Sequence, residues 1–321
     1  MKASKLLRTG AVMITALTIG IITGCSEDGS KPEGGHVVNF GWKPVFSPDG
    51  GKIAFGEDDS TAVWIYWLNG DLEKIIAGNH NGDYCWSPSG DKLAYSVPGG
   101  LDKGLWTVDT TGSKLKLSDF GAYPSWSPSG DSIVFHGYDY ENSICGLFIT
   151  ASDGGGSVVN ITLSGEFPQW SPAGDKIAYL IQASDYTLFI YYVGTGANSS
   201  LTSAGPNFDW SPDGGLIVFD RFELTGSGAN QYNSFNINVK NLSGGSAYIL
   251  WQGGNTPVWS PDNSYIAFEN MSGDISAGIL TISPSGGTAD MITNNGYEPS
   301  ISPNGSKIAF RRSDGIWIID K

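Results

Sequence analysis

One phrase recurs seven times along the sequence. Trp86-Ser87-Pro88-Ser89-Gly90 returns as Trp126 to Gly130, Trp170 to Gly174 and Trp210 to Gly214. Looser copies begin at Phe46-Ser47-Pro48, Trp259-Ser260-Pro261 and Ile301-Ser302-Pro303. A triplet of the Ile-Ala-Phe kind follows each copy. The serines stand at 47, 87, 127, 171, 211, 260 and 302, so the steps are 40, 40, 44, 40, 49 and 42 residues. A strand-turn-strand unit of that length cannot bury its apolar face alone. It stacks on its neighbours, as the blades of a β-propeller do.

The phrase has a local reason. A type I turn favours Ser or Asp first, Pro second and Gly fourth. Pro48 presets its φ, and Gly50 accepts the left-handed backbone that closes the hairpin. Asn263 takes the glycine position in the sixth copy, and asparagine tolerates that region next best. The strand after each turn alternates, with Ile53 and Phe55 on one face and Ala54 on the other. Alternating bulk suits sheets packed face to face. A third apolar strand follows (Val63 to Trp67 in the first unit), then a Gly-containing turn and a shorter fourth strand. In the fourth unit that last strand looks weak, at Ser200 to Thr202. The seventh unit ends at Lys321 without a fourth strand, and His36 to Phe40 is an orphan strand near the other end. Pairing the two closes the ring and removes its open edge. The expected fold is therefore all-β: a seven-bladed β-propeller of four-stranded antiparallel blades, its last blade completed by the N-terminal strand. Six blades with one stray unit is the alternative.

The first 24 residues read as a leader. Lys2, Lys5 and Arg8 precede an uncharged apolar stretch from Ala11 to Ile22, too short to span a bilayer. Ile22-Thr23-Gly24-Cys25 resembles the lipobox of bacterial lipoproteins, which implies cleavage before Cys25 and acylation of its thiol. Several acyl chains anchor far more firmly than one. The expected organisation is a signal peptide over 1–24, a flexible tether over 25–35 and the propeller over 36–321. Ser26, in place of an aspartate, points to the outer membrane of a host that has one.

The net charge is −14, and without the three leader cations it is −17. Nucleic acid requires a basic footprint, so it is not an expected partner. Cys85 and Cys145 are expected as two buried free thiols in neighbouring blades rather than a disulfide.

The Trp-Ser-Pro-Asp-Gly phrase, with its leading Pro44, Pro124, Pro168, Pro257 and Pro299, resembles the TolB-type, WD40-like propeller repeat. The resemblance covers nearly the whole chain after the leader. It implies a rigid exported monomeric ring that binds a partner at one mouth, often another envelope protein or peptide. It departs from TolB in having only a short tether before the first blade. The TolB role in the envelope-spanning Tol-Pal system therefore does not carry over.

In this geometry the Ser-Pro and Gly-Gly turns share one face. The loops after the second strands and the links between blades share the other. The first set is uniform, whereas the second varies, and variation on a rigid frame is where binding lives. The candidate binding residues on that variable mouth are Trp42, Lys43, His80, Asp83, Tyr123, His136, Tyr138, Glu166, Phe167, Asn207, Arg221, Glu223, Glu269, Tyr297, Glu298 and Arg311. A protruding loop is expected from Glu223 to Tyr232. An aromatic and acidic mouth fits a protein partner, with a glycan as alternative. No catalytic residue, metal or cofactor is expected: there is no Gly-x-Ser-x-Gly elbow, phosphate loop or Cys-x-x-Cys. A three-histidine metal site of the oligogalacturonate-lyase type needs His36, His80 and His136 together, and the repeat places them in different blades. A uronate lyase or glycan hydrolase is the enzymatic alternative.

Overall fold

The computed structural model describes residues 35–58, 62–78, 80, 84–225, 232–271 and 278–321. Among them, 28 strands form seven four-stranded antiparallel sheets. The first blade runs Trp42–Phe46, Lys52–Gly56, Ala62–Trp67 and Leu72–Ala77, in sequence order. Blades two to six repeat that order. The seventh joins Tyr297–Ile301, Lys307–Arg312 and Gly315–Asp320 to Gly35–Val38.

The Ser-Pro turns form seven times. In each, the amide of the fourth residue donates to the serine carbonyl, at 2.8 Å for Gly50 to Ser47 and 2.9 Å for Asn263 to Ser260. Gly50 has φ 70° and Asn263 φ 64°, the left-handed region expected of both. The serine hydroxyl accepts the amide five residues on, as from Lys52 to Ser47 at 3.0 Å and from Lys176 to Ser171 at 3.1 Å. It donates to one carboxylate in six of the turns, at a position that shifts with the sequence, and to the Asn304 side-chain carbonyl in the seventh, at 2.8 Å. In Ser-Pro-Asp-Gly copies the carboxylate is Asp213, 2.6 Å from Ser211; in the fourth copy, Ser-Pro-Ala-Gly, it is Asp175, 3.0 Å from Ser171.

The core lies between blades. Ile53, Phe55, Phe135, Phe219, Phe268 and Phe310 are fully buried, and one apolar cluster joins Val63 and Ile76 of the first blade to Trp86 and Leu93 of the second. Trp86 Nε1 donates to the Val45 carbonyl of the preceding blade at 3.0 Å. Trp210 Nε1 does the same to Gln169 at 3.3 Å.

The N-terminal strand closes the ring. Gly35, His36 and Val38 lie opposite Ile318, Trp317 and Ile316, and Val37 and Val38 join the cluster that holds Phe46 and Ile316. At Gly315, φ is 124° and a Cβ would fall 2.0 Å from the Val38 carbonyl oxygen. Only glycine allows the seam strand to cross so closely.

Several expectations change. The closing strand begins at Gly35, inside the expected tether; the leader, Cys25 and the rest of the tether lie outside the described residues. The fourth strand of blade four is not weak: it spans Ala197–Ala204 and pairs along the whole of Tyr186–Tyr192. Its ladder is continuous although only Leu201 and Ala204 of the strand join an apolar cluster. The cysteines are free but not buried, since Cys85 is half-buried and Cys145 exposed. Cys145 lies near the start of Ile144–Ala151, opposite the exposed Tyr138. In blade five the expected loop begins as a hairpin, Leu216–Thr225 with Tyr232–Asn241, paired out to Thr225 and Tyr232. Residues 226–231 lie outside the described residues.

Candidate functional site at the mouth of the ring

The first strand of each blade enters from the variable face. In five blades it enters through a strained residue placed just before the repeat's proline. Lys43, Tyr123, Phe167, Thr256 and Glu298 all have φ between 47° and 54°. A proline normally drives the preceding residue toward extended backbone, and a left-handed non-glycine residue costs roughly 1–2 kcal/mol. Each of these residues sits in a ladder irregularity, as between Ala122 and Ser125 or between Tyr297 and Ser300. A bulge re-aims a side chain away from the sheet. Blades two and five carry Tyr84 and Phe208 where the proline stands. Their first strands shorten to Tyr84–Trp86 and Phe208–Trp210, with no register shift.

These residues meet across blade seams and divide the mouth into two arcs. The first is aromatic. The Tyr123 and Phe167 rings lie 4.2 Å apart, Phe167 meets Tyr186 edge-on at 6.3 Å, and Tyr123 stacks on His136 at 6.3 Å. Burial lowers the His136 pKa from its ordinary value, and the nearby Glu166 carboxylate opposes that shift. Cys145 Sγ lies 3.8 Å from His136 Nε2. Farther out, Tyr138 and Tyr140 pack edge-to-face at 4.7 Å.

The second arc is polar and runs over blades five, six, seven and one. Asn207 gives Asp220 two hydrogen bonds, from its amide at 3.2 Å and from Nδ2 at 2.6 Å. The same Nδ2 reaches Asn255 Oδ1 at 3.1 Å. Glu298 donates its amide to Glu269 Oε1 at 2.6 Å, and Lys43 donates its amide to Glu298 Oε2 at 2.7 Å. The strained amides of one blade thus find carboxylates on the blade before. Asp220 is wholly inaccessible. Burial pushes its carboxyl up to about 6, against the Asn207 and Thr256 donors and with a contribution from the Glu269 charge. Burial also raises Glu269, against the Glu298 amide. Deeper in the ring, Asp209 accepts Gln169 Nε2 at 3.1 Å, the Trp210 amide at 2.9 Å and the Trp259 amide at 2.8 Å. Burial pushes the Asp209 carboxyl up to about 6, against these three donors.

The expected mouth residues separate into three groups. Lys43, Tyr123, His136, Phe167, Asn207, Glu269 and Glu298 belong to the two arcs, and Glu166 borders the aromatic one. Tyr138, Tyr297 and Arg311 stand at the rim; Tyr297 is exposed and lies opposite Arg311 in the ladder. The others turn inward or onto their own blade. His80 is fully buried, its Nε2 2.9 Å from the Ala62 carbonyl, so it is a packing residue of the first seam. Trp42 donates its indole N–H to the Glu57 carbonyl at 2.8 Å. Arg221 pairs with Glu223 at 3.1 Å, and Asn236 also holds Glu223, so both fold back on the blade-five hairpin. Asp83 lies outside the described residues.

Sequence reasoning missed Asp209, Asp220 and Tyr186, the exposed Phe222 of the blade-five hairpin, and the exposed Leu101 and Met271 beyond second strands. Alignment of the Ile-Ala-Phe triplets marks the position just after each one: Gly56, Ser96, His136, Leu180, Asp220, Glu269 and Arg311. Seven different residues fill that position, which is the signal that finds Asp220. Among the described residues, no three His, Cys, Asp or Glu side chains converge on a point that could hold a metal.

Residues 119–317 match the TolB beta propeller domain, well over half of the chain. The chain belongs to the TolB β-propeller domain family. No curated protein matches it significantly in sequence. Its fold is similar to that of TolB from Acinetobacter baumannii, with 17% identity, a TM-score of 0.54, and 80% of this chain and 65% of that one covered. The TolB-like chain thus spans about two thirds of that relative's length. It is also similar to a Kuenenia stuttgartiensis hydrazine synthase chain, with 13% identity, a TM-score of 0.67, and 92% and 99% covered. At these identities the likenesses show the fold alone. An oligogalacturonate lyase from Vibrio parahaemolyticus aligns at a TM-score of 0.42, with 15% identity over 88% of this chain and 90% of that one.

Proposed function

We propose that this TolB-like ring is a lipid-tethered binding scaffold of the bacterial envelope. It engages another envelope protein or peptide through its variable mouth and performs no catalysis. The observation that carries this reading is the contrast between the two faces. On the turn face, seven near-identical Ser-Pro turns spend their polar groups on themselves. On the mouth face, five strained residues feed an aromatic arc and a polar arc, with Tyr140 72% exposed and Phe222 53% exposed beside them. Strain repeated at one level of a rigid frame marks a surface shaped for contact, and exposed aromatics at a rim are the usual anchors of protein partners. The lipobox-like Cys25 and the family membership support the envelope location. Replacing Phe167 by Ala tests the reading. Affinity for the captured partner falls by about tenfold or more, the loss expected of a buried aromatic anchor, while the ring stays folded. Unchanged affinity contradicts the proposal.

A glycan lyase or hydrolase is the second reading, and it draws on one observation. Asp220 and Glu269 are neighbouring carboxyls with raised pKa values, a pattern suited to acid–base work. Asp220 is sealed from solvent and held by Asn207, however, which favours a structural role. Turnover of a polyuronate or glucan that disappears in Asp220→Asn is the result that would favour this second reading.

A further inference from the structure

The repeat places an aromatic ring at the end of every Ile-Ala-Phe triplet, and in five blades it is a fully buried phenylalanine. The other two blades carry tyrosine. In blade four, Tyr179 uses its hydroxyl, donating to Asn198 Oδ1 at 2.8 Å. In blade two, Tyr95 is only 3% exposed, yet its hydroxyl has no hydrogen-bond partner among the described residues. The hydroxyl is not sealed from solvent: it stays open to water in the hollow beside it, where a ligand hydroxyl can take that water's place.

The reason for the hydroxyl lies beside it. Tyr95 lines a cavity of about 360 Å³ between the fourth strand of blade one and, in blade two, the second and third strands with the loop that joins them. That volume falls within the usual range of small-ligand pockets. Ile76, Ala77 and Val97 form an apolar wall, and Trp106 lies directly opposite Tyr95 in the ladder. The Trp106 indole N–H is already committed to the Asp102 carbonyl at 2.8 Å, so this residue offers surface rather than a donor. Asp102 and Lys114, both exposed, also line the cavity, and neither makes an ion pair among the described residues. Gly99 and Gly100 at the entrance have no atoms within 4 Å of where a Cβ would stand, which leaves the way in open.

We propose that this inter-blade cavity is a binding site for an uncharged sugar ring. Each part of the lining matches a part of a pyranose. An apolar C–H face lies against Trp106 and the aliphatic wall. Hydroxyls both donate and accept, and the lining supplies an acceptor in Asp102, a donor in Lys114, and both in Tyr95. One acidic and one basic side chain balance each other, so a uronate or an amine leaves one of the two unmatched. The site is separate from the mouth arcs and does not rest on the function proposed for them.

The test is ligand-observed NMR titration of the full chain with glucose, galactose, N-acetylglucosamine, maltose and cellobiose, beside glucuronate and leucine. Methyl glycosides and the disaccharides distinguish a free sugar from the end of a longer glycan. The expected result is saturable binding of at least one neutral sugar, weakened about tenfold by Tyr95→Phe. That variant carries the residue five other blades use, so its melting temperature stays at or above that of the parent. Phe167→Ala, at the mouth, leaves sugar binding intact. The proposal is overturned by any of three results: no neutral sugar saturates, Tyr95→Phe binds as the parent does, or glucuronate or leucine binds more tightly than every neutral sugar.

Discussion

Asp220 gives the polar arc a measurable pH signature. Its carboxyl lies wholly out of solvent on the second strand of blade five, and burial raises it from 3.8 to about 6. A rise of about two pKa units corresponds to about 3 kcal/mol. For an acid raised on folding, the unfolded chain releases its proton first. The stabilisation is therefore complete below pH 3.8 and is lost as the pH climbs toward and through 6. Between pH 4 and 7.5 about 2 kcal/mol of this is lost. Asp220→Asn removes the titration while keeping the shape. Other groups titrate alike in both proteins, so the difference between their pH profiles isolates Asp220 together with its coupling to Glu269. Thermal unfolding followed by near-UV circular dichroism at pH 4.0 and 7.5 reads it. At about 2 °C per kcal/mol for a large domain, the parent loses about 4 °C more than Asp220→Asn over that interval. Equal losses in the two proteins would refute the argument that burial raises this carboxyl.

Other outcomes follow from the same geometry. Gly315→Ala puts a methyl 2.0 Å from the Val38 carbonyl oxygen; it destabilises the ring by at least about 2 kcal/mol, and limited proteolysis then cuts before Trp42 faster than in the parent. Ser171→Ala leaves the Lys176 amide without its side-chain acceptor and costs about 1–2 kcal/mol in urea unfolding. Cys145 is exposed, whereas Cys85 is half-buried with its thiol on the Pro124 carbonyl, so an aromatic disulfide reagent modifies Cys145 well before Cys85 in the native protein.

The fold was legible because its instructions are local and repeated. Each Ser-Pro turn fixes one hairpin through its own residues, and seven copies leave little freedom in how the units stack. The orphan strand at Val37 and Val38 pointed to the closing seam because the seventh unit lacked a fourth strand. The mouth was legible as a face but less so residue by residue. The strained backbone at Lys43, Tyr123, Phe167, Thr256 and Glu298 runs against the usual effect of a following proline, so no local rule announces it. His80 looked like a loop residue because a polar side chain between blades is ordinarily solvated; its seat under Ala62 is a tertiary fact. Asp220 stood in a position otherwise filled by Gly, Ser, His, Leu, Glu or Arg, and nothing in a single chain says that Asn207 of the same blade closes over it. The strand at Ala197–Ala204 shows the opposite case, a mostly polar segment held in the sheet by a full backbone ladder, the Tyr179–Asn198 bond and the packing of Leu201 and Ala204.

The binding role is tested most directly by comparing the two faces of the ring in living cells. A photoreactive residue is placed in turn at Tyr123, Glu166 and Arg311 on the mouth, and at Ser89, Ser129 and Asn304 on the turns. The account predicts one discrete crosslinked partner from the mouth positions and none from the turns. Crosslinks from the turn positions alone, or from neither set, would contradict it.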